Sequence, residues 1–493
     1  MSGTVVEVED SSVETRTPSI TGLSSSVILR DVATLGSGTL LSGVFGTLLV
    51  FLIPRLVSVE NYGYWRLFLL YAGYVGLLHF GFADGALLQW AGKSFESFRK
   101  EIKPSIKFMI LQQIAFVVSG SLVLLLLPAR FQFIGIAVLL FALIMNLVTL
   151  LQYALQAGRI FTPVAVAVAA PNGIFVLCAF LWDLRGTPDF RDLIALYFLS
   201  WIGVLIYLWI RVKPASTAQV SSPWSIGKTF VAIGWPIVLA NTGYMFVQSA
   251  DRVVVSSILP ISEFAQYSLA TSAMFVPITA ILTVYRVFFS HVAAVDESDR
   301  RKIYVHASRF LLAAWSLLLP YFFVLDWFVH AFLPNYVPSL SVAKVLLLGI
   351  LFLAGIQILH MSFSYLNGKQ RDFLLRTVYV LAATYSLLLA LAFWMHSLFA
   401  VAIGQDIALA LWWFVNEWKL RSTTGQSAKD WSRTGVVFVW SSGCYVLASG
   451  WIHRIVWQIP VYYALVFLAL LLACREELRA GWRIFKFSLA GTR

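Results

Sequence analysis

Two arginines stand inside long apolar segments of the sequence, where an unpaired charge is costly. They are Arg252 and Arg286. If these segments cross a bilayer, a charge at its centre costs about 2.5–3.5 kcal/mol on insertion scales, so such residues usually face a wet interior or a partner. A guanidinium group is a planar fork that binds phosphate or carboxylate through paired hydrogen bonds. The two arginines indicate an anion-binding site, unless each only neutralises a buried acid such as Asp251 or Asp84.

Polar side chains recur every three or four residues along four of the apolar segments, so each set lies on one helical face. Such stripes can line a shared water-filled cavity, or they can hydrogen-bond between neighbouring helices. The residues predicted to line a cavity are Asn146, Gln156, Asn241, Tyr244, Gln248, Thr283, Gln357 and His360.

Three acids also lie in apolar segments: Asp84, Asp251 and Asp406. A carboxyl group buried in a membrane protein can take up and release a proton or bind a cation during transport. The alternative is a structural ion pair with a nearby cation. We therefore treat the three as candidates for ion coupling.

The elements that must hold these residues are about fourteen apolar runs between residues 33 and 475, separated by short polar loops. Each is long enough to cross a bilayer as a helix, which needs about 20 residues. The chain has 493 residues, is 59% hydrophobic and has a mean hydropathy of +0.81. Only 12% of its residues are charged, against about 25% in soluble domains. This predicts an all-α integral membrane protein, with the second span covering residues 66–89.

The net charge of +12 does not indicate nucleic-acid binding, because the basic residues concentrate in alternate loops. With the N-terminus in the cytoplasm, about 27 of the 36 Lys and Arg fall on the cytoplasmic side, as the positive-inside rule requires. An odd number of spans would destroy this asymmetry. Both termini are therefore predicted to be cytoplasmic.

The second half of the sequence repeats the pattern of the first half. An apolar helix, a short Glu-containing motif and a second helix occur around Glu60 and again around Glu263. Repeated halves flanking a central site are a common transporter plan. The predicted divisions are a disordered cytoplasmic tail (1–29), a six-helix lobe (30–211), a cytoplasmic linker (212–229), a second six-helix lobe (230–419), and two extra helices with a basic tail (420–493).

Signatures of an enzyme or a metal site are missing from the sequence. Gly227-Lys228-Thr229 resembles the end of a phosphate-binding loop, but the first glycine of that motif is replaced by Ser222. The external loops are about 5 to 12 residues long by the span assignment, which leaves no room for the large catalytic loop of a membrane glycosyltransferase. The three cysteines lack metal-ligand spacing. We expect a protein without catalytic activity, metal or cofactor.

Several short motifs occur in an order that resembles the polysaccharide-export flippases. These are the bacterial O-antigen and exopolysaccharide repeat-unit translocases of the multidrug/oligosaccharidyl-lipid/polysaccharide exporter superfamily. The motifs are Tyr62-Gly63-Tyr64-Trp65-Arg66-Leu67, Gly81 with Asp84-Gly85, Pro236 with Asp251-Arg252, Phe332-Leu333-Pro334-Asn335-Tyr336, and Leu366-Asn367-Gly368-Lys369. The similarity covers nearly the whole chain from about residue 30, with a departure at Gln89, where many relatives carry a basic residue.

The resemblance implies two pseudo-repeated six-helix lobes around a central cavity, plus two C-terminal helices. It also implies alternating access in the bacterial inner membrane, carrying polyprenyl-diphosphate-linked oligosaccharides to the outer leaflet, with a polysaccharide polymerase and chain-length machinery as further partners. Three alternatives stay open: an ion-coupled multidrug exporter of the same superfamily, a membrane-embedded polysaccharide polymerase or ligase, and a lipid II translocase of related fold.

Overall fold

The computed structural model describes residues 25–126, 128–183, 186, 188–215, 222–292, 297–424, 428–452 and 454–473. The predicted tails therefore lie largely outside the described residues, as does the centre of the predicted linker. Within these ranges the chain is helical between short connections, and no strand occurs.

The helices follow the apolar runs of the sequence. They are α1 (Ser25–Leu56), α2 (Val59–Ala72), α3 (Phe82–Trp90), α4 (Phe95–Leu124), α5 (Ala129–Ala157), α6 (Phe161–Asp183), α7 (Phe190–Val212), α8 (Pro223–Ile258), α9 (Ile261–Val292), α10 (Glu297–Leu318), α11 (Tyr321–Phe332), α12 (Ser339–Gly355), α13 (Ser362–Leu366), α14 (Gln370–Met395), α15 (Leu398–Thr424), α16 (Ala428–Trp451) and α17 (Ile455–Ala473).

These helices make a multi-pass membrane protein. Among the described residues nine continuous helical stretches are long and apolar enough to span a bilayer, or eleven when each of two bent helix pairs counts as one span. Adding α9, α16 and the shorter apolar α17 gives fourteen. The all-α membrane fold with about fourteen spanning helices is thereby confirmed.

The spans pack as two lobes, α1–α7 and α8–α15, with α16 and α17 against the second lobe. The hydroxyl of Tyr462 on α17 donates to the Ser316 carbonyl at 2.7 Å, and that of Tyr445 on α16 donates to the Lys344 carbonyl at 3.2 Å. The predicted plan of two lobes plus two C-terminal helices is present. The residue numbers assigned to the divisions remain a prediction.

The second span is broken in its middle, between α2 and α3, and bends by 55°. Phe80 and Gly81 both have positive φ at the break. Carbonyls freed by a break inside a membrane need other donors, and two side-chain amides supply them. Asn146 Nδ2 donates to the Val75 carbonyl at 3.1 Å, and Gln113 Nε2 donates to the Leu78 carbonyl at 3.0 Å.

The lobes touch through backbone at this same break. Gly81 and Gly85 on the α3 side face the first half of α8, where a Cβ on Gly81 would lie 2.2 Å from the Gly234 carbonyl carbon and one on Gly85 would lie 1.9 Å from the Phe230 oxygen. At the other end of the span, a Cβ on Gly63 of α2 would lie 2.5 Å from the Ile261 oxygen at the start of α9. The two Glu-containing motifs therefore meet across the interface between the lobes.

Candidate functional site

A polar cavity lies between the two lobes, beside the α2–α9 contact. It has a volume of about 140 Å³. Its walls come from α2 and the start of the break, from the second half of α8, and from the first turns of α9. The lining residues are Arg66, Leu69, Leu70, Gly73, Tyr74, Met245, Gln248, Ser249, Arg252, Phe264 and Ser268. We refer to it as the interlobe cavity.

Arg252, one of the two arginines predicted to bind an anion, lines this cavity from α8. Its side chain is 17% exposed. It lies against the Phe275 ring, 5.6 Å from the centroid, and its Nε is 3.9 Å from Asp251 Oδ1. That distance is too long for a hydrogen bond but short enough for an ion pair.

Asp251 is instead satisfied by other donors. Its Oδ1 accepts the Arg252 backbone N–H at 2.7 Å, and its Oδ2 accepts the Tyr267 hydroxyl at 2.8 Å. The carboxylate is 3% exposed and does not line the cavity. Asp251 therefore sits behind Arg252 and ties α8 to α9.

Arg66 is the second cation of the interlobe cavity, and the sequence analysis did not single it out. Its Nε is buried without a hydrogen-bond partner among the described residues, and its charge interacts with that of Arg252. The predicted second span began at residue 66, which placed this arginine at the membrane edge. The helix in fact begins at Val59, so Arg66 lies two turns inside it. A boundary set at the Ser58 N-cap would have revealed it.

Tyr74 and Ser249 close the inner side of the cavity by a hydrogen bond between their hydroxyls, one from each lobe. The Tyr74 ring also stacks on Phe246, with centroids 5.1 Å apart. Neither residue carries a sequence signal of its own. Tyr74 is placed by the helix break that follows Ala72, and Ser249 by the second half of α8.

Of the residues predicted to line a cavity, the structure places Gln248 in the interlobe cavity beside Arg252. Tyr244 and Gln357 meet each other instead, with the hydroxyl donating to Gln357 Oε1 at 3.0 Å. Gln156 is half-buried near the end of α5. Asn146 caps the helix break described above. The side chains of Asn241, Thr283 and Arg286 lie outside the described part of the structure, although their backbones belong to α8 and α9.

His360 belongs to a separate buried cluster in the second lobe. Its Nε2 lies 2.7 Å from Glu417 Oε2, and the Tyr304 hydroxyl donates to the same oxygen at 2.5 Å. His360 is in a π-helical segment, Ile356–Met361, that interrupts the span between α12 and α13. His360 and Tyr304 are fully buried and Glu417 is 2% exposed. Glu417 was not predicted as an intramembrane acid, because it stands just before the basic end of α15.

The other two predicted acids lie away from Arg66 and Arg252. Asp84, in the first turn of α3, has its Oδ2 3.8 Å from His79 Nε2. Asp406 on α15 packs against α12, where a Cβ on Gly349 would lie 2.1 Å from its Oδ1. Neither acid lines the interlobe cavity.

A second, largely apolar groove of about 290 Å³ runs between α1 and α9 on the lipid-facing surface. Exposed Leu40, Val44 and Leu48 form one wall, and Val276 of α9 lies on the other. The two walls belong to different lobes. It is therefore a largely apolar surface groove bounded by both lobes, and none of its lining residues lines the interlobe cavity.

Comparison with known proteins finds similarity in structure alone. No protein-family model matches the chain, and no curated protein matches its sequence. The lipid II flippase MurJ in an inward closed conformation superposes with a TM-score of 0.68 at 13% identity, covering 90% of this chain and 99% of that one.

Multidrug-resistance transporters of the MATE family, described as members of the MOP superfamily, also match. The inward-facing conformation gives a TM-score of 0.53 at 12% identity, covering 83% of this chain and 98% of the other. The outward-facing conformation gives 0.52 at 11% identity, covering 81% and 96%. At these identities the similarity establishes a shared fold.

Proposed function

We propose that this protein translocates polyprenyl-diphosphate-linked oligosaccharide repeat units from the cytoplasmic to the outer leaflet for surface polysaccharide synthesis. Transport proceeds by alternating access without ATP hydrolysis. The structural neighbours are flippases and transporters, which supports a role in moving a solute or lipid rather than in catalysis. The lining of the interlobe cavity supports the more specific substrate, a lipid-linked oligosaccharide.

The observation that carries the proposal is the pair of arginines in the interlobe cavity. Arg66 and Arg252 line it together, and none of its described lining residues is an acid. Arg252 has Asp251 as an ion-pair partner at 3.9 Å, whereas the buried Nε of Arg66 has no hydrogen-bond partner among the described residues. Burying a cation without a compensating partner is unfavourable. A diphosphate offers several anionic oxygens in the geometry that two guanidinium forks can bind. Arg286, on the neighbouring α9, is proposed as a further anion contact along the path.

The cavity is too small for an oligosaccharide in this conformation, since about 140 Å³ holds on the order of ten waters. The glycan can enter only if the lobes separate at the α3–α8 or the α2–α9 contact. This is the movement that alternating access requires. With no nucleotide-binding motif in the sequence, an ion gradient or consumption of the product would drive it, and Asp84, Asp251 and Asp406 are the proposed ion-coupling residues.

The groove between α1 and α9 supports a lipid-linked substrate over a wholly soluble one. Its apolar walls face the bilayer and belong to opposite lobes. The polyprenyl chain can stay in this groove while the head group crosses between the lobes. We further propose that the protein lies in the bacterial inner membrane with both termini cytoplasmic, and acts with a polysaccharide polymerase and chain-length machinery.

A second candidate substrate is lipid II, favoured by the higher structural similarity to MurJ than to the MATE transporters. A multidrug exporter for cationic compounds fits less well, because two arginines line the cavity. A polymerase or ligase is less favoured because its catalytic groups would need a long external loop.

The experiment that tests the function uses cells lacking this protein. Surface polysaccharide is quantified, and lipid-linked saccharides are extracted and assigned to a leaflet. Loss of polymer with single repeat units trapped on the inner leaflet supports the proposal, and trapped lipid II supports the second candidate. Unpolymerised repeat units on the outer leaflet would instead indicate a polymerase, and unchanged pools would indicate drug export.

A further inference from the structure

A groove on the lipid-facing surface of the first lobe has a cationic end and an apolar end. It lies between α4 and α7, with α5 as its floor. Two adjoining cavities, of about 600 and 260 Å³, share Trp209. None of their lining residues lines the interlobe cavity. The first is lined by Arg99, Lys103, Trp209, Ile210, Lys213, Pro214 and Ala215, and the second by Ile106, Ile110, Leu147, Leu151, Leu205, Ile206 and Trp209.

The two ends follow from the order of residues along α4. Arg99, Lys103, Ile106 and Ile110 are spaced by four, three and four residues, so they form one stripe along the helix. The cations occupy the N-terminal part of this stripe and the isoleucines continue it into the membrane. α7 runs antiparallel to α4, so its apolar residues come first along the chain and Lys213, at its C-terminal end, lies at the cationic end of the groove.

The cationic end is built in a fixed geometry. Lys213 ends α7 with a left-handed backbone, φ 44°, a conformation that commonly terminates a helix. Its carbonyl then accepts a hydrogen bond from Arg99 Nε at 3.0 Å. Arg99 Nη1 also bonds to Glu96 at 3.0 Å. The side chains of Lys103 and Lys213 are exposed at the mouth of the groove.

The apolar end has exposed walls over a buried floor. Trp209 and Ile206 on α7 are 49% and 55% exposed, whereas Leu151 on α5 is 1% exposed. From Arg99 to Ile110 the groove runs about 16 Å along the helix axis at 1.5 Å per residue. This is close to one leaflet of a hydrocarbon core about 30 Å thick. The groove therefore has a cationic end followed by an apolar end, the order of the head group and the acyl chain in a lipid molecule.

We propose that this groove binds one anionic phospholipid, such as phosphatidylglycerol, in the leaflet at the basic face of the protein. Lys103, Lys213 and Arg99 hold the phosphate, and an acyl chain lies along Trp209, Ile206 and the α5 floor. Charge complementarity selects the anionic head group, since each Lys or Arg near such a surface contributes roughly five-fold to binding. The site is independent of the transported substrate.

The test uses the full-length protein reconstituted in nanodiscs of phosphatidylglycerol and phosphatidylethanolamine, followed by native mass spectrometry. The wild type is expected to retain one phosphatidylglycerol. The variant Lys103→Gln/Lys213→Gln is expected to bind it about 25-fold more weakly, at five-fold per cation. The matched control, Lys100→Gln/Lys107→Gln, removes the same charge from α4 outside the groove and should retain the lipid.

A second readout locates the lipid. The fluorescence of Trp209 is the difference between the emission of the wild type and that of Trp209→Phe. Phosphatidylglycerol with a brominated acyl chain should quench this Trp209 fluorescence, and phosphatidylcholine brominated at the same position should quench it less. Equal retention of phosphatidylglycerol by the charge variant and the control would overturn the proposal. So would equal retention of the zwitterionic lipid, or a Trp209 signal that the brominated anionic lipid leaves unchanged.

Discussion

The contact between α3 and α8 predicts that a single methyl group will force the lobes apart. A Cβ added to Gly234 would lie 1.8 Å from the Gly81 oxygen and 2.6 Å from the Gly85 nitrogen. Both neighbours are backbone atoms on the opposite lobe, so no side-chain rotation relieves the clash. Gly234→Ala should therefore disfavour the conformation in which α3 and α8 touch.

The size of the effect follows from the cost of overpacking, about 1–3 kcal/mol. At tenfold per 1.4 kcal/mol, the equilibrium should move from closed to open at this end by a factor of roughly 5 to 150. The direction of the shift is informative, because Gly→Ala within an exposed helix ordinarily stabilises the helix by about 1 kcal/mol. A smaller population of the closed state would therefore result from the clash between α3 and α8 and not from a change in the helix propensity of α8.

The assay is a spin-label distance measurement between the lobes in the reconstituted protein. Labels on Lys93→Cys and Lys228→Cys, both exposed near the contact, are introduced after Cys178, Cys444 and Cys474 are replaced by Ala. Gly234→Ala should shift the distribution to longer distances.

Gly443→Ala, in α16 with nothing within 4 Å of the new Cβ, is the control for the spin-label measurement and should leave the distribution as in the wild type. A well-folded Gly234→Ala protein with the wild-type distribution would refute the reasoning.

Three further outcomes are expected. Glu417→Ala leaves His360 and the Tyr304 hydroxyl buried without their shared acceptor, so thermal unfolding should show destabilisation of about 2–6 kcal/mol, at about 1–3 kcal/mol for each unsatisfied group; a loss under 1 kcal/mol would mean the cluster is not structural. Asn146→Leu strands the Val75 carbonyl at the helix break, at a cost of about 1–3 kcal/mol, whereas an unchanged melting temperature would show that water replaces the amide. A reporter active only in the cytoplasm, fused after the last residue, should give signal, and silence from a stably expressed fusion would break the fourteen-span topology.

The membrane fold could be predicted from the sequence because apolar runs and the charges of the loops between them are properties of local sequence. Each span needs only its own residues to be recognised, and the two-lobe plan followed from the repeated motifs near Glu60 and Glu263. The break in the second span could not be predicted. It has no proline, and it depends on Asn146 and Gln113 from other helices to satisfy its carbonyls.

The candidate site could be predicted only in part. Arg252 was found because a cation in the middle of an apolar run is rare. Arg66 was missed because an error of seven residues in a helix boundary moved it to the membrane edge. The partner of His360 is Glu417, 57 residues away, and such a pairing leaves no trace in the spacing of a single sequence. Local patterns thus identify residues that are costly to bury, and the fold decides which of them meet.

The most direct test of the central claim measures transport of a lipid-linked oligosaccharide by the purified protein in vesicles. The probe is the lipid extracted from cells lacking this protein, and the readout is its appearance in the opposite leaflet. The wild type should move it. Arg66→Ala, Arg252→Ala and Arg286→Ala should each cut the rate while inserting normally, and the exposed Arg371→Ala should not. Wild-type rates in the three arginine variants would contradict an anion site between the lobes.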